Sequence, residues 1–379
     1  MDANRSFVRP PETLLHIDGS EGEGGGQMLR TALGLSVATG RPFEMTRIRA
    51  GRERPVLLRQ HLAAVRLLAA LGDAEVSGGE LGSTALRFTP RARPAGDYSV
   101  AIGSAGSALL VFQTALTALL RAAGPYRVVI EGGTHNSGAP PFEHTALVLL
   151  PALRRLGASL AVTLERHGFY PAGGGRIVIE VAPAPLGQRE LLDRGALQRL
   201  EGQALVSGLS PKIGKRELGV VRERLLGRFP DGADLREQLQ VVEIPNRVGP
   251  GNALSVIARC EQVTEVFTTF GERGVAAETV ASEAGDAARA WLDSGAPVAE
   301  HTADQRLVPM AISGGGVFRT TPLSLHTRTN MDVIARFGGV RFDVQKDAAG
   351  FGSRVHVGAP TGTSVSLLGD PPNGDGCGV

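Results

Sequence analysis

Apolar positions in the first 90 residues follow strand and helix periods in turn. The apolar run at 14–17 predicts a strand, and the spacing i, i+3, i+4, i+8 that follows predicts a helix. The apolar face of that helix carries Leu29, Ala32, Leu33 and Val37. Further on, a second helix is predicted at 58–68 and short strands at 74–77 and 85–89. The resulting order is strand, helix, strand, helix, strand, strand.

The same order restarts near Tyr98, offset by about 84 residues, and this internal period is the strongest architectural signal in the chain. The second unit is predicted to have strands at 98–102, 127–131, 159–164 and 176–181, with helices at 109–120 and 142–156. A third unit begins near Asp304, with helices at 307–311 and 329–336 and strands at 317–321, 340–345 and 354–357. Each unit would lay two helices on one face of a small mixed sheet.

Residues 185–294 interrupt this rhythm with strand-like and helix-like segments of their own. They predict an inserted domain of roughly 100 residues, within the usual size range of domains. The expected fold is therefore α/β (α+β), with one large domain and a smaller inserted α/β domain. The ranges are 14–184 for units one and two, 185–294 for the insert, 295–358 for unit three, and 1–13 and 359–379 for flexible tails.

Composition places the chain among globular proteins, since 42% of its 379 residues are hydrophobic and 21% are charged. No apolar run reaches the roughly 18 residues that a membrane helix needs, and no secretory signal is visible at the start. Two cysteines, Cys260 and Cys377, cannot build a disulfide framework or a cysteine-based metal site. We therefore expect a cytoplasmic protein without a membrane partner.

A net charge of +2 does not by itself indicate nucleic-acid binding, but five arginines cluster between positions 47 and 59. The cluster is either an ordinary solvated surface or a patch that binds phosphates. The second alternative is open because one guanidinium group can bind two phosphate oxygens at once. The chain has only three lysines, Lys212, Lys215 and Lys346, and none lies in a phosphate-binding loop. A nucleotide mechanism would have to use another nucleophile.

The glycine-rich segment DGSEGEGGGQ at 18–27 joins the first strand to the first helix. Its glycines let the backbone approach a ligand, and Glu21 and Glu23 lie close to a helix N-terminus. It fits neither the Walker pattern nor the dinucleotide fingerprint. Eight histidines are candidate nucleophiles or bases, but their spacing indicates no metal cage and does not choose among them.

Seven sequence blocks in order resemble the RNA 3′-terminal phosphate cyclase family over about residues 14–358. They are DGSEGEGGGQ (18–27), IRAGR (48–52), LRQHL (58–62), IGSAGS (102–107), RHGFYPAGGG (166–175), ADQ (303–305) and LHTRTN (325–330). The resemblance implies three βαβαββ units and an inserted small domain, in agreement with the organisation above. It also implies ATP as co-substrate, Mg²⁺ or Mn²⁺, and an RNA with a 3′-phosphate end as substrate.

The reaction implied by the resemblance has three steps. A histidine attacks the α-phosphorus of ATP and becomes adenylated, AMP then moves to the RNA 3′-phosphate as RNA-(3′)pp(5′)A, and the 2′-hydroxyl closes a 2′,3′-cyclic phosphate. His326 matches the nucleophile, and Glu23 matches a metal ligand. The matching ATP and AMP residues are Gln113, Pro140, His301, Asp304 and Gln305. The matching phosphate and RNA-end residues are Arg30, Arg49, Arg52 and Gln60.

Two other functions are alternatives to the cyclase reaction. A non-catalytic relative acting in ribosome biogenesis would share the fold but lack the nucleophile, whereas His326 and Glu23 are both present. An enolpyruvyl transferase would also stack βαβαββ units, but it would need six of them and has no use for His326. The oligomeric state and the physiological RNA stay open at the level of sequence.

Overall fold

The computed structural model describes residues 13–230, 234–245, 249–347 and 352–358. The tails expected to be flexible, 1–13 and 359–379, lie outside these ranges except for Thr13. Within the described ranges the strands form four sheets of four strands each, and helices pack on them, so the mixed α/β class is confirmed. In this part of the chain no helix is both long and apolar enough to cross a membrane.

The glycine-rich segment lies between the first strand of the first sheet and the helix that follows that strand. Its elements are β1 (Leu15–Asp18), α1 (Gly26–Thr39), β2 (Phe43–Thr46), α2 (Arg59–Gly72), β3 (Glu75–Ser77) and β4 (Leu86–Thr89). The strand order is β1-β2-β4-β3, with β1 and β2 parallel and the other pairs antiparallel. A parallel pair needs a crossover connection, which helix α1 supplies. The helix begins at Gly26, the last residue of the glycine run.

The second sheet has the same order of strands, β5-β6-β8-β7. Its elements are β5 (Gly96–Ala101), α3 (Ala108–Leu119), β6 (Tyr126–Gly132), α4 (Phe142–His144), a π-helical turn (Thr145–Leu149), α5 (Leu150–Arg155), β7 (Ser159–Arg166) and β8 (Gly175–Ala182). The pattern predicts one helix over 142–156, whereas the π-helical turn interrupts it. Pro151, in the first turn of α5, has no N–H to donate back to the preceding turn, which explains the break.

Residues 185–294 contain a further sheet with its own helices. The elements are β9 (Arg189–Leu191), β10 (Leu197–Ser207), α6 (Lys212–Arg224), α7 (Leu235–Gln238), β11 (Leu239–Ile244), β12 (Gly251–Cys260), β13 (Thr264–Phe270) and α8 (Ala277–Ser294). The sheet order is β11-β10-β12-β13, and β9 is not part of it. The apolar pattern did not predict β9 or β13.

The remaining elements form a sheet with the order β15-β16-β14-β9. They are α9 (Glu300–Ile312), β14 (Gly316–Thr320), α10 (Leu325–Gly338), β15 (Phe342–Lys346) and β16 (Ser353–Val357). β9 pairs in parallel with β14, Arg189 opposite Gly316. A strand inside the range expected for the insert, 185–294, thus lies in the sheet of residues 295–358.

One apolar core joins the three sheets that contain β1, β5 and β14, and a second core fills the sheet of β10–β13. Phe43 of β2 stacks on Phe88 of β4, with 5.9 Å between ring centroids, and meets the edge of Phe337 of α10 at 6.0 Å. Because Phe337 packs there, helix α10 is held against the first sheet, although about 300 residues separate them in the chain. The second core contains Trp291 of α8, which is almost fully buried.

Helices α1 and α3 approach each other closely at Gly34, and this contact tests the packing. A Cβ added at Gly34 would lie 2.7 Å from the carbonyl oxygen of Thr114 and 2.9 Å from Thr117 Oγ1. We predict that Gly34→Ala lowers the free energy of unfolding by about 1–3 kcal/mol through overpacking. Gly219→Ala is the matched control, because a Cβ there meets nothing within 4 Å in α6. Thermal unfolding should show Gly219→Ala unchanged or slightly stabilised, and equal melting temperatures for the two variants would contradict the prediction.

Candidate active site

His326 lies in the first turn of α10. The apolar pattern predicts this helix from 329, but it begins at Leu325 because Ser324 caps it: the Ser324 hydroxyl accepts a hydrogen bond from the Thr327 N–H at 3.2 Å. Because the helix begins at Leu325, His326 lies inside its first turn, and the helical backbone fixes the direction of the His326 side chain. The imidazole is partly buried, with 38% of the side chain exposed.

The glycine-rich segment packs directly on this helix. The Glu23 N–H donates to Thr329 Oγ1 at 3.0 Å, one turn along α10 from His326. Gly22 has a φ of 56°, and a Cβ there would lie 2.3 Å from Thr329 Oγ1, so neither the conformation nor the space suits another residue. The close approach brings the Glu23 carboxylate next to the imidazole.

Two carboxylates flank the His326 ring. Glu23 Oε2 is 3.1 Å from Nδ1, whereas Asp304 Oδ2 is 3.7 Å from Nε2, too far for a hydrogen bond. A neutral ring bound to a carboxylate through Nδ1 carries its proton there and donates it, which leaves the Nε2 lone pair free. The arrangement is that of an oriented nucleophile.

Burial lowers the pKa of His326, and the charges of Arg30 and Arg52 lower it further, while Asp304 and Glu300 oppose the shift. The pKa of Asp304 is raised because the carboxyl group is buried, and this effect exceeds the opposite effect of His326 and of its hydrogen-bond donors. Each shift disfavours a charge in this partly desolvated site. The imidazole is therefore neutral around pH 7.

Asp304 is held in place by two amide side chains. Gln27 of α1 and Asn330 of α10 both donate to Asp304 Oδ1, the latter at 2.8 Å. The Thr31 hydroxyl in turn donates to Asn330 Oδ1 at 2.8 Å. Neither Gln27 nor Asn330 was assigned a role from the sequence. The available signal for Asn330 was its i+4 position relative to His326, which places both on one helix face.

Two cavities meet at His326 and Arg30. The wide cavity has a volume of about 1300 Å³ and lies between α9 and the segment formed by β13 and α8. It is lined by all the residues that the resemblance matches to ATP and AMP: Gln113, Pro140, His301, Asp304 and Gln305. Gln113 Nε2 and Gln305 Oε1 are buried without a hydrogen-bond partner among the described residues.

The arginine cavity has a volume of about 680 Å³ and lies on the side of the first two sheets. It is lined by all the residues matched to phosphate and the RNA end: Arg30, Arg49, Arg52 and Gln60. Burial lowers the pKa of Arg30 to about 10, which still leaves the guanidinium charged at neutral pH. The cavity is therefore positively charged and suits an anion.

Some residues of the arginine cavity also hold its walls. Arg49 Nη1 donates to the carbonyl oxygens of Arg54, at 2.7 Å, and Val56, at 2.9 Å. Gln60 Oε1 accepts from the Ser107 N–H, at 2.7 Å, at the start of α3. The structure thus gives both side chains a structural contact that the sequence did not reveal.

His61 also lines the arginine cavity, although no role was predicted for it. Burial, together with the charges of Arg30 and Arg49, lowers its pKa to about 3, so the ring is neutral. Its Nδ1 is buried and has no hydrogen-bond partner in the described ranges. The sequence signal was its place in the block LRQHL, directly after Gln60.

Glu23, the expected metal ligand, has a nitrogen partner at each oxygen. Arg52 pairs with Oε1 and His326 with Oε2. Mg²⁺ commonly binds through one or two carboxylates and takes its other ligands from substrate phosphates and water. The donor set therefore fits a metal ion shared with a bound triphosphate, and it does not form a closed cage of protein ligands.

Residues 21–344 match the family described as RNA 3′-terminal phosphate cyclase. Curated proteins named RNA 3′-terminal phosphate cyclase are similar over most of the chain. That of Koribacter versatilis is 48% identical, covering 88% of this chain and 92% of the relative, and that of Ralstonia nicotianae is 47% identical, covering 92% and 98%.

The protein of the same name from Salmonella typhimurium is 46% identical and covers 90% of this chain and 98% of its own. Among solved structures, the enolpyruvyl transferase NikO from Streptomyces tendae aligns over 93% of this chain and 66% of its own, with 12% identity and a TM-score of 0.26. A score that low carries no argument about fold or function. The family match and the curated relatives agree, and the chain belongs to the RNA 3′-terminal phosphate cyclase family.

Proposed function

We propose that this protein converts an RNA 3′-terminal phosphate into a 2′,3′-cyclic phosphate at the expense of ATP, through adenylated His326. One observation carries the proposal: a neutral imidazole, oriented by Glu23, lies where the wide cavity meets the arginine cavity. A group transferred by His326 can thus be received from one cavity and delivered to the other. The family and the names of the relatives support the same reaction.

In the first step His326 Nε2 attacks the α-phosphorus of ATP. The N–P bond forms as the bond to the bridging oxygen breaks, and pyrophosphate leaves with the electron pair. Glu23 holds the Nδ1 proton and stabilises the charge that develops on the ring. The phosphoramidate is a good donor because neutral imidazole is the group that leaves in the next step.

In the second step an oxygen of the RNA 3′-phosphate attacks the phosphorus of the adenylate, and the N–P bond breaks to give RNA-(3′)pp(5′)A. The 2′-hydroxyl then attacks the 3′-phosphorus, AMP leaves, and the cyclic phosphate closes. Arg30, Arg49 and Arg52 would neutralise charge on the oxygens of the reacting phosphates. Arg30 lines both cavities and can act in either step.

The wide cavity is proposed to hold the adenosine part of ATP. Its volume of about 1300 Å³ is ample for a nucleotide, and the unpartnered Gln113 Nε2 and Gln305 Oε1 offer a donor and an acceptor there. Pro140 and His301 contribute wall surface beside them. Asp304, held by Gln27 and Asn330, would accept a hydrogen bond from a ribose hydroxyl or orient the transferred group.

A divalent ion, Mg²⁺ or Mn²⁺, would be held by Glu23 together with the phosphates of ATP. When bound, it would neutralise the negative charge of the triphosphate and favour release of pyrophosphate. Arg52 already compensates the charge of Glu23 and would have to share that carboxylate with the ion.

The fold proposal is that three βαβαββ units and an inserted domain build the protein. The shared strand order of the sheets containing β1, β5 and β9 supports it. Because β9 pairs with β14, the insert would begin after Leu191, and not at 185, and β9 would open the third unit. We further propose a cytoplasmic location, where RNA and ATP are available to the enzyme.

Covalent labelling tests the nucleophile. With α-labelled ATP and Mg²⁺ or Mn²⁺, the wild type should retain acid-labile label on the protein, and His326→Ala should retain none. His16→Ala is the control, because His16 is an exposed histidine of β1 that pairs with Glu44, away from both cavities. Equal labelling of His326→Ala would assign the nucleophile elsewhere. Absence of label in the wild type with either metal would favour a non-catalytic member of the family.

The pH dependence of labelling tests the electrostatics. Because the folded-state pKa of His326 lies below its usual value, the imidazole stays unprotonated to lower pH than a free histidine. Single-turnover adenylation at saturating ATP should therefore lose activity only as pH falls below about 6.5, the ordinary histidine value. An acidic limb at or above that pH would contradict the assignment of a desolvated ring flanked by arginines.

The two cavities predict separable defects. Gln60 lines the arginine cavity only, so Gln60→Ala should leave adenylation of His326 within about twofold and slow AMP transfer to 3′-phosphorylated RNA by about tenfold or more. Gln113→Ala, in the wide cavity, should instead raise the KM for ATP. Labelling followed by a chase with RNA separates the steps, and a Gln60→Ala variant defective mainly in labelling would reject the division.

A further inference from the structure

A cluster of possible metal ligands lies outside the proposed active site. His135, Glu143 and His167 each offer one ligand atom, and these atoms lie within 4.8 Å of one another. The reaction proposed for His326 uses none of the three.

Backbone pairing holds the two histidines side by side. The N–H groups of Thr134 and His135 both donate to the Gly168 carbonyl, at 2.8 and 3.1 Å, and the Gly168 N–H donates to Thr134 Oγ1 at 2.9 Å. The rings of His135 and His167 stack with 5.3 Å between centroids. The backbone next to both histidines is thus held by hydrogen bonds, which fixes where the two side chains start.

The donor types suit a metal ion. Glu143 offers a carboxylate oxygen, and His135 and His167 each offer a ring nitrogen.

The hydrogen bonds also allow the exchange of a proton for a metal. His135 Nε2 is 2.9 Å from Glu143 Oε2, and its Nδ1 is 2.8 Å from Thr134 Oγ1. The Thr134 hydroxyl can donate or accept, so it satisfies Nδ1 in either tautomer. A metal could replace the proton between His135 and Glu143, while Thr134 orients the ring as an outer-shell partner does.

We propose that His135, Glu143 and His167 bind one divalent transition-metal ion of the Zn²⁺ class. Imidazole and carboxylate donors suit such an ion, and three protein ligands leave a fourth position for water. Two ligand atoms at roughly 2.1 Å from one ion lie at most about 4.2 Å apart, and the three atoms here lie within 4.8 Å of one another. Binding therefore requires at most a small inward shift, which the half-buried His167 side chain can make. Fully buried His135 stays fixed.

The site would act on the substrate cavities through the chain between its ligands. His135 and Glu143 bracket residues 136–142, and Ser137, Gly138 and Ala139 of that segment line both cavities. An ion that joins both ends of the segment to His167 would fix the segment that separates the two cavities. Its role is structural and distinct from that of the ion expected at Glu23.

Metal binding is tested without ATP or RNA, so the result does not depend on the proposed reaction. Chelator-treated wild-type protein titrated with Zn²⁺ in a calorimeter should bind one equivalent, with release of protons. His167→Ala should lose at least tenfold in affinity, while His326→Ala, the matched control, should bind as the wild type does. Binding well below one equivalent, or equal binding by His167→Ala, would overturn the proposal. If His167→Ala does not fold, Glu143→Gln, judged by the same criterion, replaces it.

A second observation concerns Tyr170. Its side chain is unusually exposed for a large aromatic residue, at 75%, and it lines the arginine cavity with Pro171. By contrast, Tyr98 and Tyr126 stack on each other, and their hydroxyls donate to backbone carbonyl oxygens. The Tyr170 turn is closed by the Gly173 N–H, which donates to the Phe169 carbonyl at 2.7 Å.

The geometry points to Tyr170 as the platform on which a base next to the RNA 3′ end stacks. This inference rests on the proposed function, in which the arginine cavity receives the terminal phosphate. Stacking of one base on an aromatic ring contributes about 1–3 kcal/mol and tolerates any sequence. An aromatic ring at the mouth of a cationic cavity would therefore select a single-stranded end without reading its sequence.

Direct binding of a short fluorescent RNA with a 3′-phosphate, followed by anisotropy, tests this inference separately from catalysis. Tyr170→Ala should raise the Kd by about fivefold to a hundredfold, and Tyr170→Phe, which keeps the ring, should restore it. Leu226→Ala is the control, because Leu226 is equally exposed and lines neither described cavity. An unchanged Kd in Tyr170→Ala, or no RNA binding by the wild type, overturns the inference. Normal adenylation of His326 in the same variant keeps the proposed reaction intact.

Discussion

The contact between the glycine-rich segment and the first turns of α10 is the constraint on which the site depends. It joins residues about 300 positions apart, and it is tight: Gly22 lies against Thr329 with no room for a Cβ. Two features of the contact converge on the imidazole, since the segment delivers Glu23 to Nδ1 and the helix terminus fixes the ring. A small shift of either element would remove the orientation of the nucleophile. The core formed by Phe43, Phe88 and Phe337 stabilises this alignment from the opposite end of α10.

The electrostatic balance of the site follows from burial. Two acidic groups and several arginines surround one imidazole, and desolvation pushes His326 and Asp304 toward their neutral forms. Removal of water makes each remaining charge more effective, so an anion entering the arginine cavity would meet strongly favourable potentials. The Arg52–Glu23 pair supplies compensation while the site is empty of substrate. In the proposed reaction, a divalent ion at Glu23 would take over this compensation when Arg52 turns from the carboxylate to a bound phosphate.

Many of the helices and strands could be predicted because they have regular apolar spacing, which depends on local sequence. The elements that escaped prediction have a weak local pattern. β9 has only three residues and owes its existence to pairing with β14, more than 120 residues away. The start of α10 was predicted four residues late because the Ser324 cap, and not an apolar face, begins the helix. Local patterns report burial, but they do not report caps or distant strand partners.

The same distinction applies to the site. The residues named from the sequence blocks line two cavities, but their individual contacts depend on three-dimensional packing. Gln60 and Arg49 hold backbone groups of neighbouring loops, and Gln27 and Asn330 position Asp304 through amide groups. None of these contacts has a sequence period. An amide that orients a carboxylate and an amide that binds a ligand are identical residues until their partners are known.

Arg30 shows why the two cavities have to be considered together. It is a partly buried cation that lines both of them, and its pKa, which desolvation lowers to about 10, still leaves it charged at neutral pH. A buried arginine without a full set of partners is costly, so its position is favoured only if an anion or Asp304 compensates it. In the proposed reaction a phosphate is present on one side or the other at every stage. Arg30 would then be compensated throughout the cycle, first by ATP, then by the adenylate, and then by the RNA end. The positive charge of Arg30, which is unfavourable in the empty site, would therefore serve both the adenylation of His326 and the transfer of AMP to RNA.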